Sequence, residues 1–236
     1  MKIIYPIALL LIFSSLSACT SITEEAGFKA VADFYGGNVS MKKGTGISTT
    51  ATEPQGSYLE VDLTTPGIGK YYRDMQLPAS NCAYLVYKHL RPRERAGYNY
   101  FKVVIQDSAA AHSYTFSPAD LELATQSIEN FNMLMFKLQA ADYPAVLRHL
   151  DAAALGTMSH DSVTANLRRI SKGLAPFSSY LVQGFEVKQT PLAGQAIPIV
   201  RFSVSVSRVQ KSTVPLFVYI NPKPQTPQFL CGLRLL

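Results

Sequence analysis

Few groups in this 236-residue chain could do chemistry, and the one with the clearest setting is a cysteine. Cys19 closes a segment that opens on Lys2, runs through apolar residues from Ile3 to Phe13, and ends in Leu16-Ser17-Ala18. A charged start, a short apolar core and small residues together make a secretory signal, and the apolar run is too short to span a bilayer as a mature helix. Segment 1–18 is therefore expected to be removed, with cleavage between Ala18 and Cys19. An ordinary secreted chain would be cut at the same bond and keep Cys19 as a free thiol.

The remaining candidates are thinner. Cys82 lies in an apolar helical stretch and Cys231 in an apolar strand. In an oxidising compartment the two could form a disulfide, or each could be a small buried hydrophobe, and spacing alone does not choose. No Cys-x-x-Cys and no His/Cys ligand spacing is present, so neither a metal nor another cofactor is expected. Gly44-Thr45-Gly46 lacks the Lys-Ser/Thr that a phosphate loop requires after it, and reads as a turn. Glu186 is the one acid in the strand-rich end of the chain, His149 and His160 fall near helix ends, and Asp142 and Asp161 are accounted for as helix caps. No nucleophile elbow or Ser/His/Asp set appears, so no catalytic residue is assigned and the chain is expected not to be an enzyme.

Composition narrows the class further. A hydrophobic content of 47% against 16% charged residues is that of a folded protein rather than a disordered one. The formal charge of +6 is mild and its lysines and arginines are scattered. The densest group is Arg91-Pro92-Arg93-Glu94-Arg95, which reads as a solvated turn that could also meet anionic lipid head groups. With no basic stripe and a secretory start, nucleic acid is excluded as a partner.

The elements that must position these groups follow from periodicity. Residues 19–27 are polar and small, as in a tether, and Phe28 to Thr50 reads as two short strands broken by glycines. Ser57–Leu63 alternates, with Leu59, Val61 and Leu63 on one face of a half-buried strand. Leu77–Leu90 reads as a helix opened by Pro78 that buries one side through Ala79, Cys82, Val86 and Leu90, and Tyr98–Ile105 returns to strand. Residues 28–115 thus suggest a small α+β module. Its tyrosines, among them Tyr71, Tyr72, Tyr84, Tyr87, Tyr98 and Tyr100, are either the amphipathic rim of a core or a stacking platform.

Ser117-Pro118-Ala119-Asp120 is a strong helix start, and Leu121, Ala124, Ile128, Phe131, Met135 and Leu138 recur at helical steps behind it. Asp142 opens a short second helix to Leu150, and Asp161 a third to about Lys172. Four extended stretches follow, at 180–189, 197–209, 214–220 and 228–236. The second alternates Val200, Phe202, Val204 and Val206 with Arg201, Ser203, Ser205 and Ser207, and sequential antiparallel pairing is the economical topology.

Two resemblances add to this. Leu16-Ser17-Ala18-Cys19 resembles the bacterial lipobox, which implies that Cys19 is lipid-modified, palmitate-type acylation included, and becomes the first residue of a membrane-anchored lipoprotein. Thr20 stands where such proteins carry an Asp when they are retained in the inner membrane, which implies an outer-membrane protein facing the periplasm. Residues 117–236, three helices and then strands, are similar to the NTF2-like or cystatin-like cone, with Ser127–Leu138 and Asp142-Tyr143-Pro144-Ala145-Val146-Leu147 resembling its lipoprotein members. The block Ala79–Lys88 resembles the N-terminal module of uncharacterised bacterial lipoproteins. The resemblance implies an α+β protein with three helices packed on a curved, mainly antiparallel sheet, and a cone in which Phe131, Leu134, Met135, Phe185, Phe202 and Phe217 are either plain core or the lining of a pocket. Such a cone hosts enzymes, binders and dimerisation modules alike. The expectation is a non-catalytic binding or scaffolding role with a protein partner or a second copy of the chain. The alternative is a small apolar ligand, or weak hydrolase or isomerase activity, in the cone.

Overall fold

The computed structural model describes residues 20–47, 54–108, 110–155, 159–174, 177–192, 194–209, 212–224 and 227–236. Residues 1–19, with the expected signal segment, Ala18 and Cys19, lie outside the described residues. The chain is mixed α and β, built on two four-stranded sheets.

The first helix, α1 (Ile22–Tyr35), begins where a tether was expected. Its start is set by a capping box: the Ser21 Oγ accepts from the Glu24 N–H at 3.2 Å, and the Ser21 N–H donates to the Glu24 carboxylate at 2.8 Å. Residues 22–27 are therefore helical, and so is the stretch from Phe28 expected as a strand. Gly36, at φ 65°, ends the helix in the left-handed conformation that costs a glycine nothing. Strands β1 (Asn38–Gly46) and β2 (Gly56–Thr64) pair antiparallel, so Gly44 and Gly46 lie within a strand rather than in a turn. Helix α2 (Gln76–His89) then crosses over, and after the short α3 (Pro92–Arg95) the chain returns as β3 (Tyr100–Gln106), parallel to β2. A parallel pair needs such a crossover, and α2 supplies it. Strand β4 (Ala111–Phe116) closes the first sheet in the order β1-β2-β3-β4.

Helix α2 is buried on nearly every side: Pro78 to Ala83 and Leu85 to Tyr87 are all inaccessible. The one-sided stripe expected for it is too narrow, because the helix packs against α1, against the first sheet and against the second sheet together. β2 likewise departs from the half-buried expectation. Leu59, Val61 and Leu63 meet the core, while Glu60 and Asp62 on the opposite face are covered as well.

The second half opens on α4 (Pro118–Gln139), capped as expected by Ser117, whose Oγ accepts from the Asp120 N–H at 3.0 Å. Asp142 caps α5 (Tyr143–Arg148) through the Ala145 N–H at 3.1 Å. After α6 (Ala152–Leu155), helix α7 (His160–Leu174) is capped by Ser159, which accepts from the Ser162 N–H, and not by Asp161. Strands β5 (Phe177–Leu192), β6 (Gln195–Arg208), β7 (Thr213–Ile220) and β8 (Leu230–Leu235) form an antiparallel meander in sequence order. The buried stripe of α4 lies on one face of it. Val31, Leu59, Val86, Phe131, Phe202 and Ile220 belong to one continuous buried cluster, so the two halves share a core.

Candidate functional site

Of the two readings left open for the interior, plain core and pocket lining, the structure shows plain core for five of the six residues. Phe131, Leu134, Met135, Phe185 and Phe202 are all at most 4% exposed. The Phe131 ring packs 4.8 Å from that of Phe202 and 5.7 Å from that of Tyr180. Tilted and edge-on aromatic contacts of this kind are the packing of a solid core. Phe217 stands apart from the other five. Its strand neighbours Leu216 and Val218 point inward, so alternation turns Phe217 to the outer face of the sheet. The open space lies on that outer face.

There a trough of about 620 Å³ forms between the second sheet and the segment joining β2 to α2. Leu181, Ser203, Ser205 and Phe217 make its floor, and Phe34, Tyr35, Ile68, Tyr71, Tyr72 and Leu77 make its wall. A bulge in β5 shapes the junction. The register against β6 shifts between Val182 and Gly184, which leaves Gln183 unpaired in the ladder and free to accept a hydrogen bond from the Tyr72 hydroxyl. Next to it, the Phe185 N–H donates to the Ser80 Oγ at 2.8 Å in the buried interface. β5 is an edge strand, and α2 packs against the middle of it, around Gly184 and Phe185.

The wall is held from behind. The Asp107 carboxylate accepts from the N–H groups of Ser108, Gly67 and Gly69 at 2.7, 2.8 and 3.3 Å, which fixes the turn at Ile68–Lys70 and holds the carboxyl below its usual range. Tyr35 donates to the Pro78 carbonyl at 3.3 Å and accepts from the Asn81 side chain at 3.1 Å. Burial pushes both the Tyr35 and Tyr72 hydroxyls up from their ordinary value, so they stay protonated at neutral pH and serve as hydrogen-bonding groups, not bases. Tyr71 is 86% exposed and Leu181 49% exposed, and both line the same groove.

The other candidates have structural partners. The Glu186 carboxylate lies 2.7 Å from the Arg201 guanidinium and 2.9 Å from the Lys188 ammonium, and Arg201 stacks over Phe217 at 4.6 Å. His149 meets the Pro227 carbonyl through Nδ1 at 3.1 Å, packs its ring on Phe229, and takes the Leu230 N–H on its own carbonyl at 2.8 Å. It is a clasp for the start of β8. His160 lies at the start of α7. Cys82 and Cys231 are free thiols, one buried in α2 and one half-buried on β8, so the disulfide does not form. Burial raises the Cys82 thiol and pushes that of Cys231 up to about 12, which makes both poor nucleophiles.

Of the tyrosines, Tyr87 and Tyr98 pack edge-on to Phe101, Tyr84 meets Phe185, and Tyr58 stacks on Tyr100. Only Tyr71 and Tyr72 of the six expected as rim or platform line the trough. The residues missed from sequence were Leu181, Gln183, Ser203 and Ser205. The clue to them was the outward set of β6, Ser203-x-Ser205-x-Ser207, small and uncharged where an exposed strand would ordinarily carry charge. No protein-family model, no curated protein and no solved structure matches the chain.

Proposed function

We propose that the chain is a lipid-anchored protein of the outer membrane that faces the periplasm, and that it holds an extended apolar segment of an envelope protein in the trough. One observation carries this reading. The trough joins exposed aromatic and aliphatic side chains to a floor of neutral hydroxyls, with the exposed Arg73 and Asp74 also in its lining. Grooves of that composition suit extended peptides, which lay side chains on aromatic surfaces and satisfy their backbone on hydroxyl and amide groups. The second half, a long helix packed on one face of an antiparallel meander, supports the NTF2-like reading as a scaffold with a filled cone. The lipobox-like Leu16-Ser17-Ala18-Cys19 supports the anchor.

The test is a photoreactive residue placed at Tyr71 or Leu181 of the full chain in intact cells. The expected result is one discrete adduct with another envelope protein at both positions, and none from position Tyr58 on the first sheet. An adduct at twice the mass of the chain would make the partner a second copy. No adduct at either trough position would overturn the reading. A small-ligand reading is favoured by the trough volume, which falls among those of ligand pockets. Native mass spectrometry of the mature protein decides that one, since a ligand would add mass that denaturation removes. For the anchor, Cys19→Ala is expected to abolish acyl labelling and to release the chain from the outer-membrane fraction.

A further inference from the structure

We propose that the end of the molecule formed by the start of α1 and the basic turn at residues 88–93 is a membrane-contact face, seated on anionic phospholipid head groups. The inference rests on the reading of Cys19 as a lipid anchor and goes beyond it, because an anchor alone does not say which side of the body meets the bilayer.

Chain length gives the first argument. Ser21 is fixed by the capping box to the first turn of α1, and only two peptide steps separate it from Cys19. Two residues reach about 7 Å when extended, so an anchor at Cys19 keeps Ser21 near the head groups and leaves the surface around it to set how the body tilts.

The second argument is what occupies that surface. One oxygen of Glu94 accepts from the Thr23 hydroxyl at 2.6 Å and from the Arg91 N–H at 2.7 Å, which pins the basic turn against the first turn of α1. Arg91, Arg93 and Lys88, the last over the Tyr84 ring at 5.5 Å, are exposed there, and none of them closes a salt bridge among the described residues; the exposed His89 beside them is held neutral by burial and the Lys88 charge. Arg95 turns inward instead, to Glu122 at 3.1 Å. The acids at this end are Glu24, which Lys43 neutralises at 2.7 Å, Glu94, which is spent on the turn, and the exposed Glu25. Ile22 stands 79% exposed at the head of α1, beside a shallow apolar hollow that includes Phe28 and Val39. Arginines free of salt bridges on a turn pinned to the first turn of α1, and an exposed aliphatic residue on that same helical turn a few residues from an acyl chain, have the chemistry of an interfacial contact. Against the acyl chains their attraction is weak, so the face orients the body and does not anchor it.

The experiment uses the mature protein purified from its membrane and returned to vesicles of phosphatidylcholine alone or mixed with phosphatidylglycerol. Its intact mass is read first. A chain without added acyl mass overturns the anchor reading, and the inference with it. On the acylated chain an environment-sensitive dye is carried at Ala96→Cys, which leaves every basic residue in place, and a quencher is carried on the lipid head groups. The expected result is strong quenching on the anionic vesicles that falls to the phosphatidylcholine level in Arg91→Gln/Arg93→Gln and in high salt. The same dye at Leu181→Cys should stay unquenched throughout. Equal quenching at the two positions, or quenching at Ala96 that the double substitution leaves unchanged, would overturn the proposed face.

Discussion

The outer faces of the two sheets are finished differently. On the first sheet, Lys42 bridges Glu60 at 3.0 Å and Asp62 on the neighbouring strand, and Lys102 reaches Glu60 from the other side at 2.7 Å. Tyr58 stacks on Tyr100 beside them, with ring centroids 5.3 Å apart. On the second sheet the corresponding positions hold Leu181, Ser203, Ser205 and Phe217, and the segment leading into α2 roofs them only in part. Covering the first face with a partner would strip water from ion pairs, a cost that their mutual attraction often fails to repay. Covering the second would bury apolar carbon and hydroxyls that can re-pair. The first face is closed by its own charges; on the second, the ion pairs of Glu186 with Arg201 and Lys188 close one part and the trough beside them is left ready for a partner.

The comparison breaks most sharply at Gly184. A Cβ there would lie 2.2 Å from the Leu77 carbonyl oxygen and 2.7 Å from the Ser80 Oγ, and the first of these is backbone that cannot swing aside. Gly184→Ala is expected to cost about 3 kcal/mol by overpacking the joint between α2 and the second sheet. For a chain of this size that lowers the melting temperature by about 10 °C. On the first sheet, a Cβ at Gly44 meets the far end of the Tyr58 side chain at 2.7 Å, which can move. Gly44→Ala should cost less than about 1 kcal/mol. Thermal unfolding followed by circular dichroism compares the two, and equal losses would deny that the joint is the tighter fit.

Ser80→Ala tests the same joint without crowding it. The substitution leaves the buried Phe185 N–H with no acceptor, and is expected to cost about 1–3 kcal/mol. Denaturant unfolding measures the loss. Hydrogen exchange at the Phe185 amide should rise in the variant while the first sheet stays protected.

Much of this architecture could be read from the chain, and the failures share a cause. The start and stripe of α4 and the order of β5 to β8 were legible because cap, period and turn signals agree locally. The second sheet's inward set, Val200, Phe202, Val204 and Val206, was legible for the same reason. α1 was misread although Ser21-x-x-Glu24 was in view, because Gly36-Gly37 suggested strands and turns and the helix's apolar periodicity is weak. Plain core and pocket lining both stayed open for the interior, because a list of phenylalanines does not say whether they surround a space or fill it. Of the trough, only the uncharged outward serines of β6 were legible. Its floor comes from β5, β6 and β7 and its wall from residues more than a hundred positions earlier, and no local period encodes that meeting.

Acid should separate the two faces next. Burial works to raise the Glu24 and Glu60 carboxyls, but hydrogen bonds and charge from Lys43 and Tyr98 in one case, and from Lys102 and Lys42 in the other, hold both below their ordinary value of 4.5. A carboxyl that is lowered on folding contributes stability above its unfolded value, and that contribution is lost as pH falls through the folded value. Stability carried by these groups should therefore be level near neutral pH and decline below about 4.5, with the first sheet loosening first. Glu60→Gln is expected to lower stability at neutral pH and to flatten the decline. Hydrogen exchange at pH 6 and pH 3.5, each compared within a single sheet, reads the order. Loosening of the second sheet first would contradict the division of charge between the faces.

The smallest effect on stability is expected where the effect on function is largest. Tyr71 projects from the wall into solvent and Leu181 is half uncovered on the floor, so Tyr71→Ala and Leu181→Ser remove little that the fold itself uses. Each should change stability by less than about 0.5 kcal/mol, as surface substitutions away from caps and cores do. Lys102→Ala on the first sheet should cost more, because it leaves the buried Glu60 with one cation in place of two. In cells the ranking should invert: the adduct formed from one trough position should disappear when the other is substituted, and Lys102→Ala should leave it intact. A trough substitution that destabilised the chain as much as Lys102→Ala would mean that these side chains serve the fold, and the contrast between a closed face and an open one would fail.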